Sequence, residues 1–366
     1  MPIYLDAHAL AQVTAEDVAL AHQSDLIHQA EFGCTCLTYW FDQSRNSAFC
    51  LIEAPEKDAV RKLHYKSHGL IPSEIIEVNS TVVASFLGRI QDPENATLND
   101  DGLKIFSDPS FRVLLMIECV DPILLQYRIG HKNANELLDP FYILLKKHFK
   151  DFDGTEAEYG GDVLIGSFKS AQQALNCALS LKQEVQEKGW QQMECKISLN
   201  AGEPIENSKQ LFGNTLQLGH YLCSISKPNC IAIANSLKDL FTHEQYQHNQ
   251  QLVLRLTAQD EAFLQLLFSL LENYWHNTEF GLMDYCQKAV MSSSQFYRKV
   301  KALTGISFNT MLLQYRLSRA KAQMKKQSAS ITQISFASGF SSPSYFAKCF
   351  KKEYGLQPKE YFHLLT

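Results

Sequence analysis

The chain has 366 residues, 45% of them hydrophobic, with a formal net charge of −5. That length predicts two or three domains, and no stretch approaches the roughly 20 apolar residues needed to span a bilayer. The acidic balance argues against nucleic acid for the chain as a whole but not for its parts. From residue 258 onward 13 Lys/Arg stand against 7 Asp/Glu, a net of +6, and the other 21 basic and 32 acidic residues give −11. A basic module on an acidic body suits a protein that touches DNA with one part only.

Ten cysteines are scattered along the chain, and the opening Met1–Pro2–Ile3 has neither a basic start nor an apolar run. These features predict a cytoplasmic protein with reduced thiols.

Residues 1–90 read as a small α+β domain. Ile3 to Leu5 is a short strand. Thr14, with Asp17 three residues on, caps a helix that stops near Gly33. Residues 36–40 and 49–52 form a hairpin, Pro55 opens a second helix, Gly69 ends it, and residues 74–78 close the sheet. The order βαββαβ is ferredoxin-like. His64 and His68 lie four apart on one helix face, a spacing that holds a metal ion, with Cys50, His8 and His22 as further ligands. The plainer alternative makes both histidines cations at a helix C-terminus.

His8, Ala21–His22, Tyr39–Trp40, Phe49–Cys50–Leu51, Glu53–Ala54–Pro55, His64, His68–Gly69 and residues 74–78 together resemble a family of ferredoxin-like proteins associated with nickel. The resemblance implies a transition metal, and imidazole and thiolate donors suit nickel, copper or zinc.

Residues 91–110 are polar and read as a linker. Residues 111–243 read as an α/β domain with a buried strand at 113–117, a helix at 133–149, strands meeting at Gly160–Gly161–Asp162, a helix at 171–185 and a strand at 195–200. Residues 161–168, Ala174–Leu175, residues 200–204, Phe212–Gly213 and residues 231–234 resemble class III nucleotide cyclases. The resemblance implies a nucleotide held by a metal pair on two carboxylates. Asp162 supplies one. Ile117 stands where the other belongs, with Glu118 on the opposite face. Gln217 and Tyr221 replace the family's asparagine and arginine, and a tyrosine lacks the guanidinium charge. The domain therefore reads as degenerate and inactive, retained for nucleotide binding or dimerisation. Gly160–Gly161–Asp162 with Gly130–His131 also resembles diguanylate cyclases, but Val163 stands where their glutamate falls. Residues 244–259 connect onward, with His243 and His248 read as solvated.

The region 260–366 carries two helix-turn-helix patterns. The first turns at residues 291–294 into Gln295–Phe296–Tyr297–Arg298–Lys299–Val300–Lys301. In the second, Ile331, Ile334, Ala337 and Phe340 form an apolar face, Gly339 takes the tight turn, and Ser341 or Ser342 caps a helix with Pro343 in its first turn. Tyr345, Phe346, Cys349 and Phe350 are the expected buried stripe, leaving Ser344, Lys348, Lys351 and Lys352 for a major groove. The alternative is a helical bundle whose lysines are only a solvated face.

Residues 260–264, Phe296–Tyr297–Arg298–Lys299, Leu303–Thr304–Gly305, residues 316–320, Gly339–Phe340, Ser344–Tyr345–Phe346, Phe350–Lys351 and Gly355–Leu356–Gln357–Pro358 resemble the AraC/XylS family of transcription regulators. The resemblance implies double-stranded DNA as partner, with RNA polymerase a further one. Ser293, Gln295 and Ser344, with Lys348, are expected to read bases, and Ser294 and Ser342 are further expected DNA-binding residues. Arg298, Lys299, Lys301, Lys348, Lys351 and Lys352 are expected on phosphates. Tyr285, Cys286 and Gln287 depart from the family's small and hydrophobic positions and predict a looser first unit. The whole is expected to be a multidomain α+β protein: ferredoxin-like, then nucleotide cyclase-like, then all-α tandem helix-turn-helix. The function expected is a transcription regulator sensing a metal or small ligand, without membrane attachment, with a homodimer through either upstream domain. A cyclase with a DNA-binding appendage and a metal-handling protein are the alternatives.

Overall fold

The computed structural model describes the chain except residues 11, 95, 101, 158–162, 207, 227–229, 242–251, 328 and 366. Its N-terminal region contains β1 (Ile3–Ala9), α1 (Ala15–His28), β2 (Thr35–Asp42), β3 (Ser47–Glu53), α2 (Lys57–Ser67), β4 (Glu74–Val78) and α3 (Ser80–Leu87). The strands form an antiparallel sheet in the order β2-β3-β1-β4. Thr14 and Asp17 close the expected capping box on α1, and Gly33 and Gly69 take positive φ where the first two helical segments end. Helix α3, capped by Asn79, is an element that the sequence pattern did not predict.

Period-two alternation along β1 sends Tyr4 toward α1 and α2, while Leu5 packs with Leu114, Met116 and Ile165 of the next sheet. The polar stretch read as a linker carries a ribbon, Thr97–Leu98 paired with Lys104–Ile105, and buries Leu103 and Phe106 in the N-terminal core. Phe106 stacks on Tyr39 with ring centroids 4.1 Å apart.

The second sheet contains β5 (Arg112–Glu118), β6 (Thr155–Ala157), β7 (Val163–Phe168), β8 (Lys196–Gly202), β9 (Ile231–Ile233) and β10 (Val253–Arg255), in the order β10-β9-β8-β5-β7-β6. Helices α4 (Pro122–Ile129), α5 (His131–Asp151), α6 (Ala171–Glu187) and α7 (Gly213–Ile225) accompany it. Helix α7 is apolar on two sides. Leu216 and Cys223 pack toward the N-terminal sheet, and Leu218, Tyr221, Leu222 and Ile225 pack toward the C-terminal helices. Gly219 lets α7 lie close on β5, since a Cβ there would meet the Met116 sulfur at 2.1 Å.

The C-terminal region is helical: α8 (Ala258–Tyr274), α9 (Leu282–Lys288), α10 (Ser293–Thr304), α11 (Phe308–Lys325), α12 (Ile331–Ala337), α13 (Pro343–Tyr354) and α14 (Pro358–His363). Helix α11 joins two three-helix halves. Its Arg316 Nε donates to the Trp275 carbonyl at 2.6 Å and its Nη2 to the Asn277 carbonyl at 3.1 Å.

Candidate metal cluster and nucleic-acid interface

Beneath α1 and α2, β1 presents Asp6 and His8, β3 presents Cys50, α1 adds Asp25, α2 adds His64, and His68 follows at the C-cap of α2. Asp6 binds both neighbouring imidazoles, His64 Nε2 at 2.9 Å and His8 Nε2 at 3.1 Å. The other face of His64 meets Asp25 Oδ2 at 3.2 Å and His68 Nε2 at 3.0 Å. Donor atoms of Asp6, His8, Cys50 and His64 all lie within 4.8 Å of one another, as do those of Asp25, His64 and His68. A cavity of about 120 Å³ opens beside them, lined partly by His8, His22, Asp25, Cys50 and His68.

The electrostatics follow from burial and pairing. Burial opposes a charged imidazole, yet Asp6 and Asp25 together push His64 up to about 10, so it sits between them as an imidazolium. Burial also opposes ionisation of the two acids. His64 and His8 nevertheless hold Asp6 well below the usual carboxylate range, and His64 and His68 bring Asp25 down to about 2. Burial pushes the Cys50 thiol far up.

The two helix-turn-helix units are α9–α10 and α12–α13. Ser292 caps α10 by accepting from the Gln295 N–H, and Ser342 caps α13 by accepting from the Tyr345 N–H. Both helices end at a left-handed glycine, Gly305 and Gly355. Phe296 and Val300 anchor α10 in the core, and Phe346, Cys349 and Phe350 anchor α13. On the outer faces Ser294, Gln295, Tyr297, Arg298 and Lys301 are exposed, as are Ser344, Tyr345, Lys348, Lys351 and Lys352. Ser344, Lys348, Lys351 and Lys352 line one shallow groove with Ala347 and Gln357.

Residues 285–363 match the family model described as a helix-turn-helix domain. The C-terminal part of this chain is an AraC-type helix-turn-helix domain. Residues 4–78 match the model described as nickel responsive protein SCO4226-like. The chain is 30% identical over 104 residues to the HTH-type transcriptional activator RhaR of Salmonella dublin, covering 28% of this chain and 36% of RhaR. Among solved structures, SCO4226 of Streptomyces coelicolor is 28% identical over 21% of this chain and 94% of its own, with a TM-score of 0.20. A bacterial light-regulated adenylyl cyclase is 12% identical over 66% of this chain and 87% of its own, with a TM-score of 0.30. The chain spans between 8% and 37% of the length of the first curated relatives it matches.

Within the AraC-type domain the residues expected on bases and phosphates lie on α10 and α13, the second helices of the two units, with Ser342 at the cap of α13. Ser293, Lys299 and Ser342 are half-buried, and Lys299 Nζ lies 4.8 Å from the centre of the Phe263 ring. The Gln295 side-chain oxygen is already engaged, accepting from the Ser292 N–H at 3.1 Å and hydroxyl at 3.0 Å. A bidentate contact to adenine would open that cap.

Three expectations need correction. Tyr345 is 50% exposed rather than part of the buried stripe. Ala337 is exposed, and Ser335 and Ser338 are buried instead, because α12 presents Ile331, Ile334, Ser335 and Ser338 at i, i+3, i+4 and i+7. Tyr285 and Cys286 do not open the first unit but fill it. The Tyr285 ring meets Phe308 at 4.6 Å and Phe280 at 4.7 Å, at the cost of a buried hydroxyl without a hydrogen-bond partner.

In the N-terminal region His8, Cys50, His64 and His68 do converge. His22 lies outside both clusters, with its ring against Tyr39 and its Nε2 3.8 Å from Asp92. Asp6 and Asp25 were missed. Their signal was present as an acid two residues before His8 on a strand and another three residues after His22 on a helix. In the middle region Asp162, His243 and His248 fall outside the described residues. Ile117 is fully buried. Gln217 donates to Glu272 at 3.0 Å, and Tyr221 stacks on Phe268 with centroids 4.3 Å apart. Both side chains are thus committed to helix α8.

Proposed function

We propose that the protein is a sequence-specific DNA-binding transcription regulator whose N-terminal region binds a transition metal as its signal. The observation that carries this is the pair of recognition helices, each with short polar residues at its N-terminus and cations along its outer face. Phosphate contacts from Arg298, Lys301, Lys348, Lys351 and Lys352 supply affinity, and Ser294, Ser344 and neighbouring side chains discriminate bases.

The donors beneath α1 and α2 fit nickel, copper or zinc: imidazole nitrogens, a thiol and carboxylates, with Asp25 Oδ1 buried and without a hydrogen-bond partner. Asp6, His8, Cys50 and His64 would hold the ion, or Asp25, His64 and His68. To bind, the metal would have to displace the proton that His64 holds between Asp6 and Asp25, and the Cys50 thiol proton where that residue ligates. The middle region acts as a cyclase-like frame without cyclase activity, since Gln217 and Tyr221 pack against α8. We place the protein in the cytoplasm; no described helix is long and apolar enough to cross a membrane.

The test is selection of bound duplexes from a random pool, with and without nickel, copper and zinc. A recovered motif whose enrichment changes with one metal supports the reading. Recovery of no preferred sequence at low salt overturns it.

A further inference from the structure

One carboxylate from the middle region is buried inside the DNA-binding domain. Asp121 caps α4 with Oδ1, which accepts the Ile123 N–H at 3.0 Å. Its Oδ2 accepts from three groups of the C-terminal half: Lys321 Nζ at 3.0 Å, Lys325 Nζ at 3.1 Å and the Tyr361 hydroxyl at 3.0 Å. The Asp121 side chain is 1% exposed there, against 19% for Lys321 and 27% for Lys325. Leu124, one turn along α4, is buried in the same cluster as Leu317, Ala320, Met324 and Phe350.

Two ammoniums and a phenol hydroxyl converging on one oxygen are the donors that hold a backbone phosphate. A phosphodiester and a carboxylate carry the same charge, so one replaces the other without changing the balance. Lys321 and Lys325 are one turn apart on α11, the helix that joins the two halves of the domain. Helix α11 also touches the second recognition helix directly, through Gln314 and Glu353 at 3.0 Å.

We propose that Lys321, Lys325 and Tyr361 form a phosphodiester-binding site of the DNA-binding domain, and that Asp121 occupies it as an internal competitor of DNA. The proposal rests on the DNA-binding reading above. The Tyr221–Phe268 stack and the Gln217–Glu272 bond hold the other half of the domain to α7. Exchange of Asp121 for a phosphate therefore frees one edge of the middle region while the other stays attached. The docked state masks two cations and keeps an acidic body against a basic module.

Asp121→Asn tests it in the full chain, because asparagine still caps α4 but lacks the charge. Binding of a fluorescent 20-base-pair duplex is followed by anisotropy across a salt series. Asp121→Asn should tighten binding by about five-fold or more and steepen the slope of log affinity against log salt by between about one and two. Adding Lys321→Gln and Lys325→Gln should abolish the gain. Hydrogen exchange in 317–325 and 358–363 should quicken in Asp121→Asn. Unchanged affinity, unchanged exchange, or a gain that survives loss of both lysines overturns the proposal alone. If neither wild type nor Asp121→Asn binds duplex at low salt, the DNA-binding reading falls and takes this site with it.

Discussion

Val290 and Gly339 hold the same turn position in the two helix-turn-helix units, and both have positive φ, 53° and 75°. Only one of them is suited to it. A β-branched residue crowds its own backbone in the left-handed region, whereas glycine does not. Val290 is 91% exposed, so its side chain gains little packing in return. Val290→Gly should therefore stabilise the protein by about 1 kcal/mol, after allowing for the extra freedom of glycine in the unfolded chain. Gly339→Ala should destabilise by about 2 kcal/mol or more, because its Cβ would lie 2.8 Å from the Trp275 carbonyl oxygen and 2.9 Å from Arg316 Nε as well as carrying the strain. Urea unfolding of the two variants checks both signs; a destabilised Val290→Gly would contradict the strain argument.

This pair also marks what a sequence discloses. Caps announce themselves locally: Thr14 with Asp17, and Ser342 before Pro343, were readable from spacing. The strained Val290 was not, because nothing in its neighbours states φ. Asp6 and Asp25 were hidden for another reason. Asp6 meets His64 only after β1 pairs with β3 and α2 packs over them, 58 residues along the chain. Asp121 is more distant still from Tyr361, 240 residues along the chain. Long-range polar contacts leave no periodicity behind them.

Arg112 is a buried guanidinium that ties α3 to β5. It donates to the carbonyls of Phe86, Leu87, Pro109 and Phe111 at 2.6 to 3.1 Å. Burial depresses its pKa to about 10, so it remains charged at neutral pH. A lysine has three donors on a single nitrogen and cannot reach four carbonyls spread along two segments. Arg112→Lys should cost about 2–4 kcal/mol, chiefly in carbonyls left without partners. Chemical denaturation measures it; a loss below the error of the method would show that the carbonyls find other donors.

The histidine clusters share one member. His64 belongs to both, so His64→Ala should abolish uptake of nickel, copper or zinc by the full chain, measured by elemental analysis after dialysis. His8→Ala and His68→Ala divide the alternatives. Loss in the first alone assigns the metal to the set with Asp6 and Cys50, and loss in the second alone assigns it to the set with Asp25. His22→Ala should retain metal. Full uptake by His64→Ala would place the ion elsewhere.

On the DNA side, removal of a phosphate contact and removal of a base contact have different signatures. Lys351→Ala should weaken every duplex alike and lower the salt slope by about 1. Ser344→Ala should relax preference at one position with little change in slope. Gln295→Ala should do something else first, costing about 1 kcal/mol of helix stability through loss of its capping box. Binding selections on the three variants, read beside their unfolding midpoints, separate these effects. Equal loss on all sequences for Ser344→Ala and Lys351→Ala would remove the base-reading role.

Asp121 supplies a pH dependence whose sign is set by its partners. Burial alone would raise its carboxyl, but Lys321 and Lys325 outweigh it and hold the group below the usual carboxylate range. Its folded pKa is thus lower than its unfolded value of about 3.9. The stability it contributes is complete above that value and is lost as pH falls through the folded value. Over this acidic range the Asp121 carboxylate is the charge that changes. The stability difference between wild type and Asp121→Asn should be constant from about pH 8 to about pH 5 and shrink below about pH 4. Urea midpoints for both proteins across that range make the comparison, with other carboxylates cancelling between them. A difference of the same size at about pH 3 would mean that the carboxylate charge is not what holds α4 against α11 and α14.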